Sequence, residues 1–146
     1  MSTSPLRVDP YGAFNFLISF AGAGTLGGFS ECAGLEMTLD LEEYREGGNN
    51  ATTLRFPSRI KWTNLRLKRG LTSRNDLWLW HYSFVQGRVQ RRDGLITLQG
   101  EQKNAVRSWS FTRGIPVKWS GPTMNASQSQ IAIEELEIAH EGLSLL

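Results

Sequence analysis

One cysteine in 146 residues rules out an intrachain disulfide and any cysteine-rich metal cage. That cysteine, Cys32, is compatible with a reducing compartment. Histidine is almost as scarce, at two residues. No H-x-x-x-H, H-E-x-x-H or C-x-x-C spacing occurs, and no G-x-S-x-G elbow, so the sequence encodes neither a recognisable metal site nor a serine nucleophile. Neither sign of charge prevails: sixteen basic residues against fourteen acidic ones leave +2, which gives no drive toward polyanions or anionic membranes. No apolar run approaches the ~20 residues of a membrane helix, and the start, MSTSPLRVDP, lacks the apolar centre of a signal peptide. The expectation is a chain made in a cytoplasm, of a length that suits one domain over residues 1–146, with residues 1–8 a flexible N-terminus.

The groups that remain for chemistry all have plainer roles. His81 falls on the apolar face of a helix and reads as a packed histidine. His140 stands beside Glu141 at a strand end and reads as solvated. Glu31 next to Cys32 raises a thiol pKa, so the cysteine reads as inert. Glu42, Glu43, Glu46, Glu134, Glu135 and Glu137 read as edge or interface charges, not as a glycosidase pair. No cofactor, metal or small-molecule substrate is expected, and the protein reads as not an enzyme.

What the sequence does have is alternation. Phe14, Phe16, Ile18 and Phe20 alternate with Asn15, Leu17 and Ser19 as in a well-buried strand. Leu35, Met37, Leu39 and Leu41 alternate with Glu36, Thr38, Asp40 and Glu42 as in a half-buried one. Between these runs lies AGAGTLGG, which contains a literal G-x-G-x-x-G. A dinucleotide loop needs a following helix; flanking strands instead make the glycines a hairpin connection. Further strands are expected in WTNLRLK, in GLITLQG after an Asp93-Gly94 turn, in VRSWSFTR, in PVKWSGP and in QIAIEELEIAH. In the last, Ile131 and Ile133 have one parity and Leu136 and Ile138 the other, which predicts a β-bulge near Glu134-Glu135. The one helix is expected over 74–86, capped by Ser73 with Asp76 in a capping box and stopped at Gly87. Its core face is Leu77, Trp80, His81 and Phe84.

This pattern predicts a mainly β fold: two antiparallel sheets forming a small barrel or sandwich with one packed α-helix. Such a chain must manage its sheet edges, and pairing them with copies of itself is one solution. A different reading comes from Lys61, Arg66, Lys68, Arg69 and Arg74 near Trp62, a cluster that would suit a nucleic-acid-binding β-barrel.

Several blocks, in order, resemble the tail-tube (inner tube) proteins of contractile phage tails and phage-derived contractile injection systems. They are DPYGAFNFLISF (9–20), GGFSECAGLE (27–36), EEYREGG (42–48), LKRGLT (67–72), DLWLW (76–80), VKWSGP (117–122) and IAIEELEIAHEGL (131–143). The resemblance implies homohexameric rings stacked into a hollow tube, sheath and baseplate proteins as partners, cargo in the lumen, and a place in an assembled particle made in a bacterial cytoplasm. A tube-initiator ring on the baseplate would share the same features. The block at YREGG implies that Tyr44, Arg45, Glu46, Gly47 and Gly48 make subunit contacts, within an extended loop over 45–53. The lumen candidates are Thr38, Asp40, Glu42, Gln128 and Gln130, because a conduit needs polar walls. The first hairpin is longer than is usual in the family, so its contacts do not carry over.

Overall fold

The computed structural model describes residues 15–21, 24–45, 47, 52–127 and 131–146. In chain order the elements are β1 (Asn15–Phe20), β2 (Gly24–Phe29), β3 (Glu31–Ala33), β4 (Met37–Arg45), β5 (Thr53–Trp62), β6 (Leu65–Gly70), α1 (Asp76–Val85), β7 (Arg92–Gln99), β8 (Ala105–Ser120), β9 (Ile133–Ala139) and β10 (Leu143–Leu145). The fold is mainly β with one helix, as the alternation predicts. Strands pair antiparallel in the order β2-β1-β7-β8-β9-β6-β3, with β10 added to β8, while β4 and β5 form a separate two-stranded ribbon.

β8 divides the large sheet into two layers. The two strands expected at VRSWSFTR and PVKWSGP are one sixteen-residue strand. Its first half pairs with β7 and β10, and its second half pairs with β9. Between them Arg113 has a φ of 51°, and its N–H donates to Asp93 Oδ1 at 2.8 Å. This bend turns the sheet over onto itself. The ladder path ends where it began, because β2 and β3 are separated only by Ser30, but β2 pairs with β1 and β3 with β6, so the result is a sandwich and not a closed barrel.

Ile18, Leu65, Leu67, Leu77, Ile96, Phe111, Leu136 and Ile138 are wholly buried between the layers, each contributing about 1.5–3 kcal/mol by leaving water. α1 lays Leu77 and Trp80 into this core, with His81 and Phe84 partly covered. Phe20 packs on Trp80 and edge-on to Phe111.

Four local expectations need correction. Asp93 and Gly94 are not a turn but part of β7, where Gly94 lies opposite Phe111 and a Cβ would overlap its ring. The connection between β1 and β2 is short, and Gly24, Gly27 and Gly28 belong to β2 itself, so the hairpin holds but its glycines are mostly strand. Ser73 does not cap the helix: the N-cap is Asn75, without a side-chain bond. Asp76 is engaged instead by Arg69, a charge-assisted bond stronger than a neutral cap. Finally, β9 has no bulge at Glu134-Glu135. Its register with β6 runs unbroken from Ile133 to Ile138, and the irregularity lies on β8, between Pro116 and Lys118.

The β9 correction exposes the organising contact. Glu134 takes the core parity with Leu136 and Ile138, because it has a buried partner. Arg69 and Glu134 are 5% and 1% exposed. Arg69 Nε donates to Glu134 Oε1 at 2.5 Å, its Nη2 to Asp76 Oδ1, and its Nη1 to the Leu26 carbonyl at 3.1 Å. Trp119 Nε1 donates to the second Glu134 oxygen at 3.2 Å, and the guanidinium lies over the Phe29 ring. One side chain therefore ties β2, β6, β9 and α1 together. Burial opposes ionisation of both Arg69 and Asp76, but their mutual hydrogen bond and charge outweigh it, holding the arginine pKa up and the aspartate pKa down.

Two outcomes test this account. A lowered Asp76 pKa means that its stabilising contribution is complete above the ordinary Asp value of about 3.9 and is lost as pH falls through the lower folded value. Asp76→Asn should therefore show a shallower loss of stability in acid than the wild type, followed by urea unfolding across that range; equal slopes would contradict the assignment. Gly94→Ala should cost about 1–3 kcal/mol through overpacking, read as a lower urea midpoint at unchanged slope.

Candidate assembly interface

The β4–β5 ribbon leaves the sandwich through a fixed root. At Gly34 φ is +95° and a Cβ would overlap the Asn64 carbonyl, so only glycine fits there. Thr63 Oγ1 donates to Glu36 Oε2 at 3.2 Å. His140 accepts from the Gly142 N–H at Nδ1, 3.2 Å, which leaves the proton on Nε2 to donate to the Thr63 carbonyl at 3.0 Å. The Trp62 ring packs beside His140. His140 is thus a fastener of the ribbon root, and His81 bonds the Pro116 carbonyl through Nδ1 at 2.9 Å.

Beyond the root no other described residue of the chain pairs with the ribbon. β4 and β5 pair only with each other, and a lone two-stranded ribbon is marginal in water. The expected half-buried strand is therefore corrected: Met37, Leu39 and Ile60 are 72%, 53% and 57% exposed, and Leu41 is exposed too. The alternation was legible, but its apolar face has no partner strand or helix among the described residues.

The register distributes apolar residues over both faces. Met37 opposes Trp62 and Leu39 opposes Ile60; then the pairing slips, so that Leu41 opposes Pro57, Glu42 opposes Phe56 and Tyr44 opposes Leu54. Across this irregularity Asp40 faces the Ser58–Arg59 step, and Ser58 Oγ donates to the Asp40 carbonyl at 3.1 Å. One face near the root carries Met37, Leu39, Leu41, Pro57 and Ile60. The opposite face carries Thr38 and Asp40 near the root, then Glu42, Tyr44, Leu54 and Phe56 further out. Lys61 pairs with Asp40 at 3.1 Å and Arg55 with Glu43 at 3.6 Å. β5 as a whole escaped sequence reading because Pro57 and its charges obscure its period; Pro is tolerated because the ribbon has free edges.

Of the expected contact residues, Tyr44 and Arg45 end β4 and Gly47 lies in a turn, while Glu46 and Gly48 fall outside the described residues. The lumen candidates Thr38, Asp40 and Glu42 share one ribbon face; Gln128 and Gln130 fall outside the described residues. A second polar surface covers the outside of the β8–β9–β6–β3 layer. There Glu31, Lys68 and Glu135 line up across three strands, and Arg66, Glu137 and Lys118 form the next row.

Those pairings also dissolve the basic cluster. Lys61 meets Asp40, Arg66 meets Glu137 at 3.6 Å, Lys68 meets Glu31 at 3.5 Å, Arg74 meets Asp76 at 3.1 Å and Arg69 is buried. The cations are neutralised locally and do not form a track for phosphates. Among the described residues no group of three His, Cys, Asp or Glu side chains could hold a metal ion. Burial, then the charge of Glu31, pushes the Cys32 thiol up to about 11. Alkylation of the folded chain by iodoacetamide should therefore be negligible at neutral pH and rise only toward that value, whereas the urea-unfolded chain reacts readily; fast labelling of the folded chain at pH 7 would contradict an inert thiol.

Comparison with protein families finds that the T4-like virus tail tube protein gp19 family matches residues 12–144. The fold is similar to a chain in the PVC sheath–tube complex of an extracellular contractile injection system in its extended state, with a TM-score of 0.83, 23% identity, and coverage of 94% of this chain and 91% of that one. It is similar to a chain in the six-fold symmetrised baseplate of the anti-feeding prophage, with a TM-score of 0.77, 26% identity, and coverage of 100% and 97%. It is also similar to Hcp1 from Flavobacterium johnsoniae, with a TM-score of 0.56, 16% identity, and coverage of 90% and 94%. Comparison with curated protein sequences found no match.

Proposed function

Because the chain belongs to the T4-like virus tail tube protein family, we propose that it is the inner-tube subunit of a contractile injection particle or phage tail, forming six-membered rings that stack into a hollow tube. The observation that carries this reading is the ribbon: two paired strands, rooted firmly, with large apolar residues facing water in the single chain. A head-to-tail contact between unlike surfaces closes into a ring when its rotation closes. Burying Met37, Leu39, Leu41 and Ile60 against the next copy removes the exposed apolar area and satisfies a ribbon that is marginal alone. Arg45, on the same face, and Gly47, in the turn, extend that contact toward the ribbon's end, while Tyr44 offers a contact from the opposite face. The work of the protein is mechanical and not enzymatic.

Sheath and baseplate proteins are its partners in the particle. Cargo passes through a lumen walled by polar groups, for which Thr38, Asp40 and Glu42 on the ribbon are candidates. The charge-balanced rows Glu31–Lys68–Glu135 and Arg66–Glu137–Lys118 would serve equally well, since neither sign of charge would hold cargo there. The likeness to a chain from a baseplate favours a second reading, a ring that initiates the tube; such a protein forms single rings and does not elongate.

Leu39→Asp combined with Ile60→Asp should leave a folded monomer, judged by circular dichroism and light scattering, under conditions where the wild type forms rings or tubes by electron microscopy. Unchanged assembly would sink the ribbon contact. Gly47→Val is a cleaner test of the turn, because a Cβ at Gly47 meets nothing within 4 Å. The monomer should accept it without loss of stability, and any loss of assembly then reports a neighbouring copy.

A further inference from the structure

Among the described arginines only Arg69 and Arg92 are withdrawn from solvent; the others are exposed. Arg69 gives all three of its nitrogens to acceptors. Arg92, the first residue of β7, has no acceptor among the described residues: its Nε is buried without a hydrogen-bond partner, and no carboxylate pairs with its guanidinium. Asp93, next along the strand, lies on the opposite face and accepts from the Arg113 N–H.

What holds Arg92 is aromatic. Its guanidinium carbon lies 5.6 Å from the centre of the Phe20 ring and 5.8 Å from that of Trp80. Those rings are core residues packed 4.7 Å apart, so the side chain is pinned against a rigid surface. The ring faces attract its charge, but a guanidinium also carries five N–H donors that need acceptors. A half-buried cation without an acceptor is a cost that a bound anion would remove.

A cleft of about 340 Å³ opens at this group, within the size range of small-ligand sites. Leu26, Leu79 and the two rings give it apolar walls, and Arg74 and Asp76 stand beside Arg92 in its lining. Asp76 does not serve Arg92: Arg69 holds one of its oxygens, and Arg74 lies 3.1 Å from the other. Arg69, Arg74 and Arg92 therefore face only Asp76 and Glu134, and the local balance is positive.

We infer that this cleft is a binding site for a carboxylate carried on an apolar stem. The ligand reaches Arg92 through Nη1 and Nη2, whose paired N–H bonds match the two carboxylate oxygens. Its stem replaces water on Leu26, Leu79 and Trp80. The excess positive charge sets the sign, so an ammonium on the same stem is rejected. A free organic acid and a glutamate side chain of a docked protein both present this chemistry. The site needs no second copy of the chain and is independent of the tube reading.

Isothermal calorimetry of the wild-type chain with hexanoate, at matched ionic strength, should give a saturable heat, and hexylammonium none. Arg92→Gln should bind at least about tenfold more weakly, through loss of a charge-assisted pair. Arg92→Lys, which keeps the charge without the fork, should fall between. On wild-type protein, phenylglyoxal labelling mapped by mass spectrometry should show that hexanoate protects Arg92 and leaves the exposed Arg88 unchanged. The same titration with the acetylated and amidated tripeptide leucyl-glutamyl-leucine separates the sources. Tighter binding than hexanoate assigns the site to a protein partner, and weaker binding assigns it to a free organic acid. No saturable heat with either carboxylate, equal affinity in Arg92→Gln, or Arg92 labelling unaffected by hexanoate would overturn the site. The labelling result decides the matter on the wild type if a variant fails to fold, and none of these outcomes bears on tube formation.

Discussion

The buried guanidinium of Arg69 is the contact on which the architecture depends. A charge inside a protein is costly unless it is paired and hydrogen-bonded, and here all three guanidinium nitrogens donate, to the β9 carboxylate, the helix carboxylate and a β2 carbonyl. The consequence is positional. Glu134 holds β9 in register beside β6, Asp76 fixes where α1 begins, and the Leu26 carbonyl draws the first hairpin toward the opposite layer. Breaking such a cluster by removing one partner typically costs about 3–5 kcal/mol, since the remaining charge stays buried. A tube subunit under mechanical load has a use for this kind of join, because a specific network resists sliding where a purely apolar contact permits it.

With the sandwich closed in this way, the ribbon is left over. Its root is as well fixed as any core element, through Gly34, Thr63 and the paired nitrogens of His140. Its body buries little against the other described residues. Rigid attachment combined with exposed apolar residues is the reverse of what a flexible surface loop shows, where polar residues sit on a loose tether. The fold thus carries a stiff extension with no internal function, which is what a subunit joined to its copies requires. The outer face of the β8–β9–β6–β3 layer complements this: its acids and bases stand side by side, so neither sign of charge prevails there.

Much of the fold was legible in period-two alternation. Phe16, Ile18 and Phe20, then Leu65 and Leu67, then Ile96 and Leu98 all point inward as their spacing predicts, and the helix face of Leu77, Trp80, His81 and Phe84 packs as expected. The misreadings share a physical cause. Alternation tells which residues share a face but not what covers it, so Met37, Leu39 and Leu41 were assigned to a core that lies elsewhere. Ile131 and Ile133 suggested a bulge because an apolar residue was assumed to face inward, and a buried Glu134 was not anticipated. Gly94 looked like a turn because the Phe111 ring that needs its missing Cβ lies far away in sequence. Each error arose where tertiary structure overrode a local rule. The strand opposite YREGG was not legible for the same reason: β5 contributes half of the ribbon, and its pairing is visible only in three dimensions.

The central claim is that the ribbon is covered by other copies of the chain in the working assembly. Amide hydrogen exchange over residues 37–45 and 53–62, compared between assembled particles and dissociated chains, tests it most directly. The account predicts rapid exchange along the outer edges of both strands in the free chain and strong protection on assembly, while the β6–β9 core is equally slow in both states. Equal exchange of the ribbon in both states would contradict it.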